Sequence, residues 1–200
     1  ASITSVSSNT DDLIIENNGN TGISIASSTS GTGTISFIDS GDTNIGRIQY
    51  DHSANSLNFR ANDVSAMTID SAGHVTMPKQ SCFLAKLSSD QSNIATGTTV
   101  TVQFATEITD QNADYNNSNY TFTAPVTGTY QFNLNLYLNN VDSASSYYYL
   151  QLQTSNRNYF NVVDPDFGQD NAYMSIGFSI MADMDVNDTA IVVINQASGT

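Results

Sequence analysis

Chemistry in this chain would have to come from its acids, amides and tyrosines. Charged groups are scarce, with five Lys and Arg against nineteen Asp and Glu and only two His. Asp183-x-Asp185-x-Asn187 has the spacing of the first three ligands of a calcium loop. Asp188 stands where that loop needs Gly, however, and Ile194 where it needs a bidentate Glu, so the segment reads instead as a hairpin turn between strands at Phe178–Met181 and Thr189–Ile194. Calcium is the one ion left open, and no cofactor is expected. Eleven acids lie in residues 81–200, which makes near pairs of carboxylates expected by chance. A glycosidase pair is defined by its separation in space. His52 and His74 accompany no nucleophile motif, and Gly-x-Ser-x-Gly, His-Glu-x-x-His and phosphate-loop patterns do not occur. No enzyme is expected.

Binding is the better use of these residues. Ser155-Asn156-Arg157-Asn158-Tyr159 sets one Arg beside an aromatic ring and amide donors, groups able to hold glycan hydroxyls or carboxylates. Asn156, Arg157 and Tyr159 are therefore the candidate ligand-binding residues, against the plainer reading that Arg157 pairs with a nearby acid. In Tyr147-Tyr148-Tyr149 the rings cannot all face a core, because successive strand residues point to opposite sides. With Tyr148 inside alongside Leu150 and Leu152, Tyr147 and Tyr149 point outward. They are assigned to a subunit interface in preference to a sugar face.

Strands must carry these groups. From Tyr130 to Leu138 the chain alternates: Tyr130, Phe132, Leu134, Leu136 and Leu138 on one side, Gln131, Asn133, Asn135 and Tyr137 on the other. This is a half-buried strand, preceded by a Pro125-Val-Thr-Gly128 turn. Phe122-Thr-Ala-Pro-Val-Thr-Gly-Thr-Tyr-Gln-Phe132 resembles the signature of the globular head of complement component one-q, which shares its trimeric jelly roll with tumour necrosis factor. Cys82-Phe83-Leu84-Ala85-Lys86 is similar to that family's first strand, Val102-Gln103-Phe104 to its next, and Asn112-Ala113-Asp114-Tyr115 to its Asn-x-x-Tyr turn. Tyr147–Leu152 and Met174–Ile194 fall where later strands belong. The resemblance implies a homotrimer, and some relatives bind calcium near the trimer apex. It also implies a closing strand beside Phe83–Leu87, for which this chain offers only Ser198-Gly199-Thr200. The head is thus expected to lack its C-terminal strand, with the native chain running on by roughly 15–30 residues, a loop plus a strand.

Residues 1–78 read differently. Apolar residues come in pairs two apart: Leu13/Ile15, Ile23/Ile25, Ile35/Phe37, Ile48/Tyr50, Leu57/Phe59, Met67/Ile69 and Val75/Met77. Turn clusters such as Asp39-Ser-Gly-Asp42 and Asp70-Ser-Ala-Gly73 separate them. Each strand has too few buried side chains for a core of its own, so three copies are expected to wrap around one axis. Arg47 is expected to reach Asp39, Asp42 or Asp51. Thr34–Phe59 with Met67–Val75 resembles a module of bacteriophage tail fibres. Pro78 marks the boundary. The expected architecture is all-β: a trimeric β shaft over 1–78, then an antiparallel jelly-roll β-sandwich head over 79–200.

Bulk properties narrow the partners. A net charge of −14 disfavours nucleic acid and anionic membrane, and no apolar run approaches the ~20 residues of a membrane helix. The N-terminus shows neither a signal peptide nor an initiator Met, so a processed chain or a piece of a longer one is expected. Cys82 is alone and is expected to be a small buried residue beside Phe83. The resulting expectation is a structural and receptor-binding component of a phage tail fibre, on the virion and extracellular once assembled. Its partners would be itself as a homotrimer, a host cell-surface glycan or protein, and other virion tail proteins. The alternatives are a capsid or tail decoration protein that only trimerises and caps, a polysaccharide-degrading tail spike, and a secreted adhesin with a complement-like head.

Overall fold

A computed structural model describes residue 9 and residues 13–199. Among the described residues the fold is all β. The chain divides into two compact units, Ala1–Pro78 and Lys79–Thr200.

The first unit is one antiparallel sheet with its strands in chain order: β1 Thr32–Phe37, β2 Gly46–Asp51, β3 Ser56–Ala61, β4 Val64–Ile69 and β5 Val75–Thr76. Short polar side chains shape its turns by accepting backbone N–H groups. Asp39 Oδ1 accepts from Gly41 and Asp42, and Asp51 Oδ1 from Ser53 and Ala54. Asp70 Oδ1 accepts from Ala72 and His74, around Gly73 with its φ of +85°. Between β3 and β4 the chain reverses on Asn62 and Asp63, both left-handed, a hairpin signal that the apolar pairs alone did not reveal.

Register sorts this sheet into two unlike faces. Ile35, Ile48, Phe59 and Met67 form one cross-strand row, and Tyr50, Leu57, Ile69 and Val75 a second on the same side. The opposite side is polar and hydrogen-bonded: Gln49 donates to Thr34, Thr68 to Asn58, and Arg47 and Arg60 both reach Asp63 Oδ1, at 3.3 and 3.2 Å. Arg47 therefore pairs with the acid of the missed turn and not with Asp39, Asp42 or Asp51. The expected strands at Leu13/Ile15 and Ile23/Ile25 do not form. Those residues lie outside any ladder and are exposed.

The second unit is a sandwich. Its strands are β6 Phe83–Lys86, β7 Thr99–Thr101, β8 Thr106–Asp110, β9 Tyr115–Asn116, β10 Thr121–Thr123, β11 Gly128–Val141, β12 Tyr148–Thr154, β13 Asn158–Val163, β14 Asn171–Met184 and β15 Thr189–Gln196. One layer runs β13-β12-β15-β10-β9, with β7 also on β15; the other holds the β11–β14 and β6–β8 pairs. The alternation of β11 is as expected: Phe132 and Leu136 are buried, while Gln131, Asn133, Asn135 and Tyr137 are exposed. At Asn140, whose φ is +54°, the alternation slips by one and turns Val141 inward. Phe122 sits at the centre, stacked on Phe83 and edge-on to Tyr130 and Phe132. Leu150, Leu152, Ile176 and Met184 complete this core.

Two local expectations fail here. Cys82 is exposed; Phe83, next in the chain, takes the inward position instead. The turn after Asp183 does not close a hairpin either. β14 pairs with β11, whereas β15 pairs with β10, β12 and β7, so this turn carries the chain from one layer to the other.

Candidate functional site

The candidate loop is the hairpin turn between β12 and β13. Thr154 fixes it: its N–H and Oγ1 both donate to the Arg157 carbonyl, and Oγ1 accepts the Arg157 N–H at 3.0 Å. The loop lies against the turn that follows β14. Arg157 Nη2 donates to Asp183 Oδ2 at 2.7 Å, Tyr159 Oη donates to Asp183 Oδ1 at 3.2 Å, and Asn156 Nδ2 donates to the Asp183 carbonyl at 3.2 Å. All three sequence-picked residues thus come together, and they do so on one acid. The plainer reading of Arg157 describes its contact. Both partners of the ion pair remain 58% exposed at the side chain, leaving the guanidinium's other edge facing solvent.

A second acid locks the neighbouring turn. Asp188 accepts from the Asp185 N–H at 2.7 Å and from Ser155 Oγ at 2.8 Å, and these bonds hold its carboxyl below the usual range, the backbone bond most of all. Burial raises the Tyr159 phenol above its ordinary value, with the Asp183 hydrogen bond adding to it. With Asp183 and Asp188 accepting these donors, the calcium-like spacing forms a hydrogen-bonded turn. Among the described residues no three His, Cys, Asp or Glu side chains gather where a metal ion could be held. His74 Nδ1 lies 3.0 Å from Asp70 Oδ2 in the first unit, far along the chain from this loop.

Tyr148 points inward, 5% exposed, with Leu150 and Leu152. Tyr147 and Tyr149 stand on the outer face of the large layer with near-parallel rings, 6.2 Å between centroids. Tyr149 is edge-on to Phe160 at 5.3 Å, and its hydroxyl lies 2.9 Å from Thr99 Oγ1. Phe160 and Val162 are exposed beside them. Sequence reasoning missed these two, although Asn158–Val163 alternates and could have shown them. A second exposed pair, Tyr137 stacked on Tyr173 at 5.6 Å, lies on the outer face of β11–β14. The register that joins those two strands was not legible in either one.

Between β6 and β11 runs an open lane. Among the described residues β6 pairs only with β8 and β11 only with β14, so one backbone edge of each is unpaired. The lane is a cleft of about 770 Å³ whose lining includes Cys82, Phe83, Phe122, Gln131, Phe132 and Asn133.

A family model described as the C1q domain matches residues 82–200, more than half of the chain. The globular domain of zebrafish complement 1qA protein is similar in structure, with 15% identity and a TM-score of 0.45 over 61% of this chain and 84% of that one. No curated protein matches.

Proposed function

The chain belongs to the C1q domain family through residues 82–200, and on that premise we propose that it is a trimeric, receptor-binding component of a phage tail fibre. C1q domains are non-catalytic modules that commonly trimerise and bind ligands. The fibre context is carried by one observation: a single-layer sheet with one apolar face, whose sequence resembles a tail-fibre module, precedes the jelly-roll head. On this reading the first unit is shaft and the second attaches the virion to a host surface, with a glycan as the favoured receptor. The loop of Asn156, Arg157 and Tyr159 is the contact surface and Tyr147 and Tyr149 lie in a subunit interface. The lane between β6 and β11 receives a further strand that joins the β6–β8 and β11–β14 pairs.

A second reading, a decoration or capping protein without a receptor, is favoured by Arg157 already being paired. Surface glycans of candidate hosts, passed over the immobilised intact protein, separate the two. Retention of one glycan class supports attachment, and none retained supports capping. Release of reducing sugar from the same material would make the protein a spike.

A further inference from the structure

We propose that the outer face of the β12–β13 hairpin belongs to the receptor surface and takes a neutral oligosaccharide, laid along the strands from the Arg157 turn to Tyr149. The inference rests on the attachment reading above, and it moves Tyr149 from the subunit contact to the ligand. Two amides carry it. Gln151 and Asn195 are only 4% and 7% exposed, yet among the described residues neither side chain has a hydrogen-bond partner. The sliver of surface that each keeps includes its amide end. Both point away from the sandwich interior, which their neighbours Leu150, Leu152 and Ile194 fill. Buried polar groups left unpaired are costly, and an occupant that completes them accounts for their presence.

Register shows what that occupant meets. Gln151 lies between Phe160 and Val193, and Asn195 between Tyr149 and Thr99. The Tyr149 side chain crosses over Asn195, since its hydroxyl lies 2.9 Å from Thr99 Oγ1. That contact is exposed to water, so the ring can turn aside for a ligand. Phe160 stands edge-on to it and is 52% exposed. Aromatic rings above amide ends suit a sugar, whose apolar faces pack on rings and whose hydroxyls both donate and accept. The apolar centre of a subunit interface would leave both amides unpaired. Charge selects among sugars. These rows hold no acid or cation, on a chain whose net charge of −14 repels acidic glycans. Gln153 and Asn158 continue the face to the turn that bears Asn156 and Arg157. From Gln153 to Tyr149 the strand runs ~13 Å, room for a chain of sugars and not for a single ring.

The test probes immobilised neutral monosaccharides, neutral oligosaccharides and uronic-acid oligosaccharides with the full chain and with its Gln151→Leu and Phe160→Ala variants. The expected result is that neutral oligosaccharides retain the parent protein and that each variant binds them about tenfold more weakly. Gln151→Leu should melt no lower than the parent, because an apolar side chain relieves an unpaired amide. Light-scattering mass should be the same for all three proteins. Variants that bind as the parent does overturn the proposal, and the amides then hold only water. Retention by acidic oligosaccharides alone also overturns it and leaves attachment standing. A changed mass for Phe160→Ala overturns it in favour of a subunit contact. A parent protein that no sugar retains overturns this surface and glycan attachment together. If Gln151→Leu does not fold, Phe160→Ala, at an exposed position, decides alone.

Discussion

Arg157, in the turn between β12 and β13, and Asp183, at the end of β14 in the other layer, meet at 2.7 Å. This bond ties the β12–β13 hairpin of one layer to the strand whose end crosses over from the other. Tyr159 and Asn156 converge on the same residue, so the loop is held from three points. Its one cation is half-screened by solvent and half-spent on a carboxylate. An exposed pair of this kind contributes only ~0–1 kcal/mol, so Arg157→Ala should leave thermal unfolding nearly unchanged. If the loop contacts the host, the same variant adsorbs more weakly to cells. Adsorption equal to that of the parent protein removes the loop from the binding surface.

Gly177 lies in the middle of β14, opposite Asn135. A Cβ there would collide with the Leu134 carbonyl oxygen and come within 3.1 Å of Asn135 Cα. Backbone cannot yield as a side chain tip can, so Gly177→Ala should cost ~1–3 kcal/mol, where Gly128→Ala, with open space around it, should cost less. Comparing the denaturant midpoints of the two variants checks this. Equal midpoints would mean the two long strands are not so closely apposed.

Much of the head was legible because its determinants are local. Phe132 and Leu136 announce their face by alternation, and Tyr148, Leu150 and Leu152 do the same one strand later. Pro78 marks a change of pattern that sequence alone displays. What stayed hidden depends on pairing between segments far apart in the chain. Nothing near Gly177 says which strand will lie beside it. Asp183 is the partner of Arg157 only once β14 ends next to the β12–β13 turn. Cys82 was misplaced because an isolated small residue gives no phase of its own, and the phase belongs to Phe83. In the first unit each apolar pair was visible, but the Asn62-Asp63 turn that sets the register of β3 against β4 went unread. Arg47 was consequently given the wrong acids.

Burial lifts the Tyr115 phenol to about 12, with the charge of Glu107 adding to the effect. Its hydroxyl donates to the Phe104 carbonyl at 3.0 Å, and its ring stacks on Phe83. In the unfolded chain a Tyr ionises near 10. Between these values the unfolded state has already lost a proton that the folded state retains, so stability falls as pH rises. The loss should reach about 2–3 kcal/mol at pH 12 and be absent below about pH 9. Tyr115→Phe should flatten the part of the alkaline decline that belongs to this residue, at the expense of about 1 kcal/mol at all pH for the lost hydrogen bond. Denaturant melts of both proteins at pH 8 and pH 11 measure the difference. Parallel declines would mean the phenol is not withdrawn from solvent.

Phe132 is 7% exposed and forms part of the lining of the lane beside β6. Phe132→Ala should cost ~3–5 kcal/mol through the cavity it leaves, while exposed Asn133→Ala should cost about 1 kcal/mol or less, for its hydrogen bond from Ser179. A loss well beyond the ~1 kcal/mol that the hydrogen bond from Ser179 Oγ to Asn133 Oδ1 can account for would place the outer face of β11 in a contact between chains. Chemical denaturation of the two variants, with the oligomeric state followed in parallel, separates these cases.

Shaft, head and attachment surface all presuppose three chains acting as one. The mass of the purified 21.5 kDa chain, measured by light scattering across a dilution series, tests that most directly. The account predicts three times the chain mass, persisting on dilution. A stable monomer with intact β structure would contradict it.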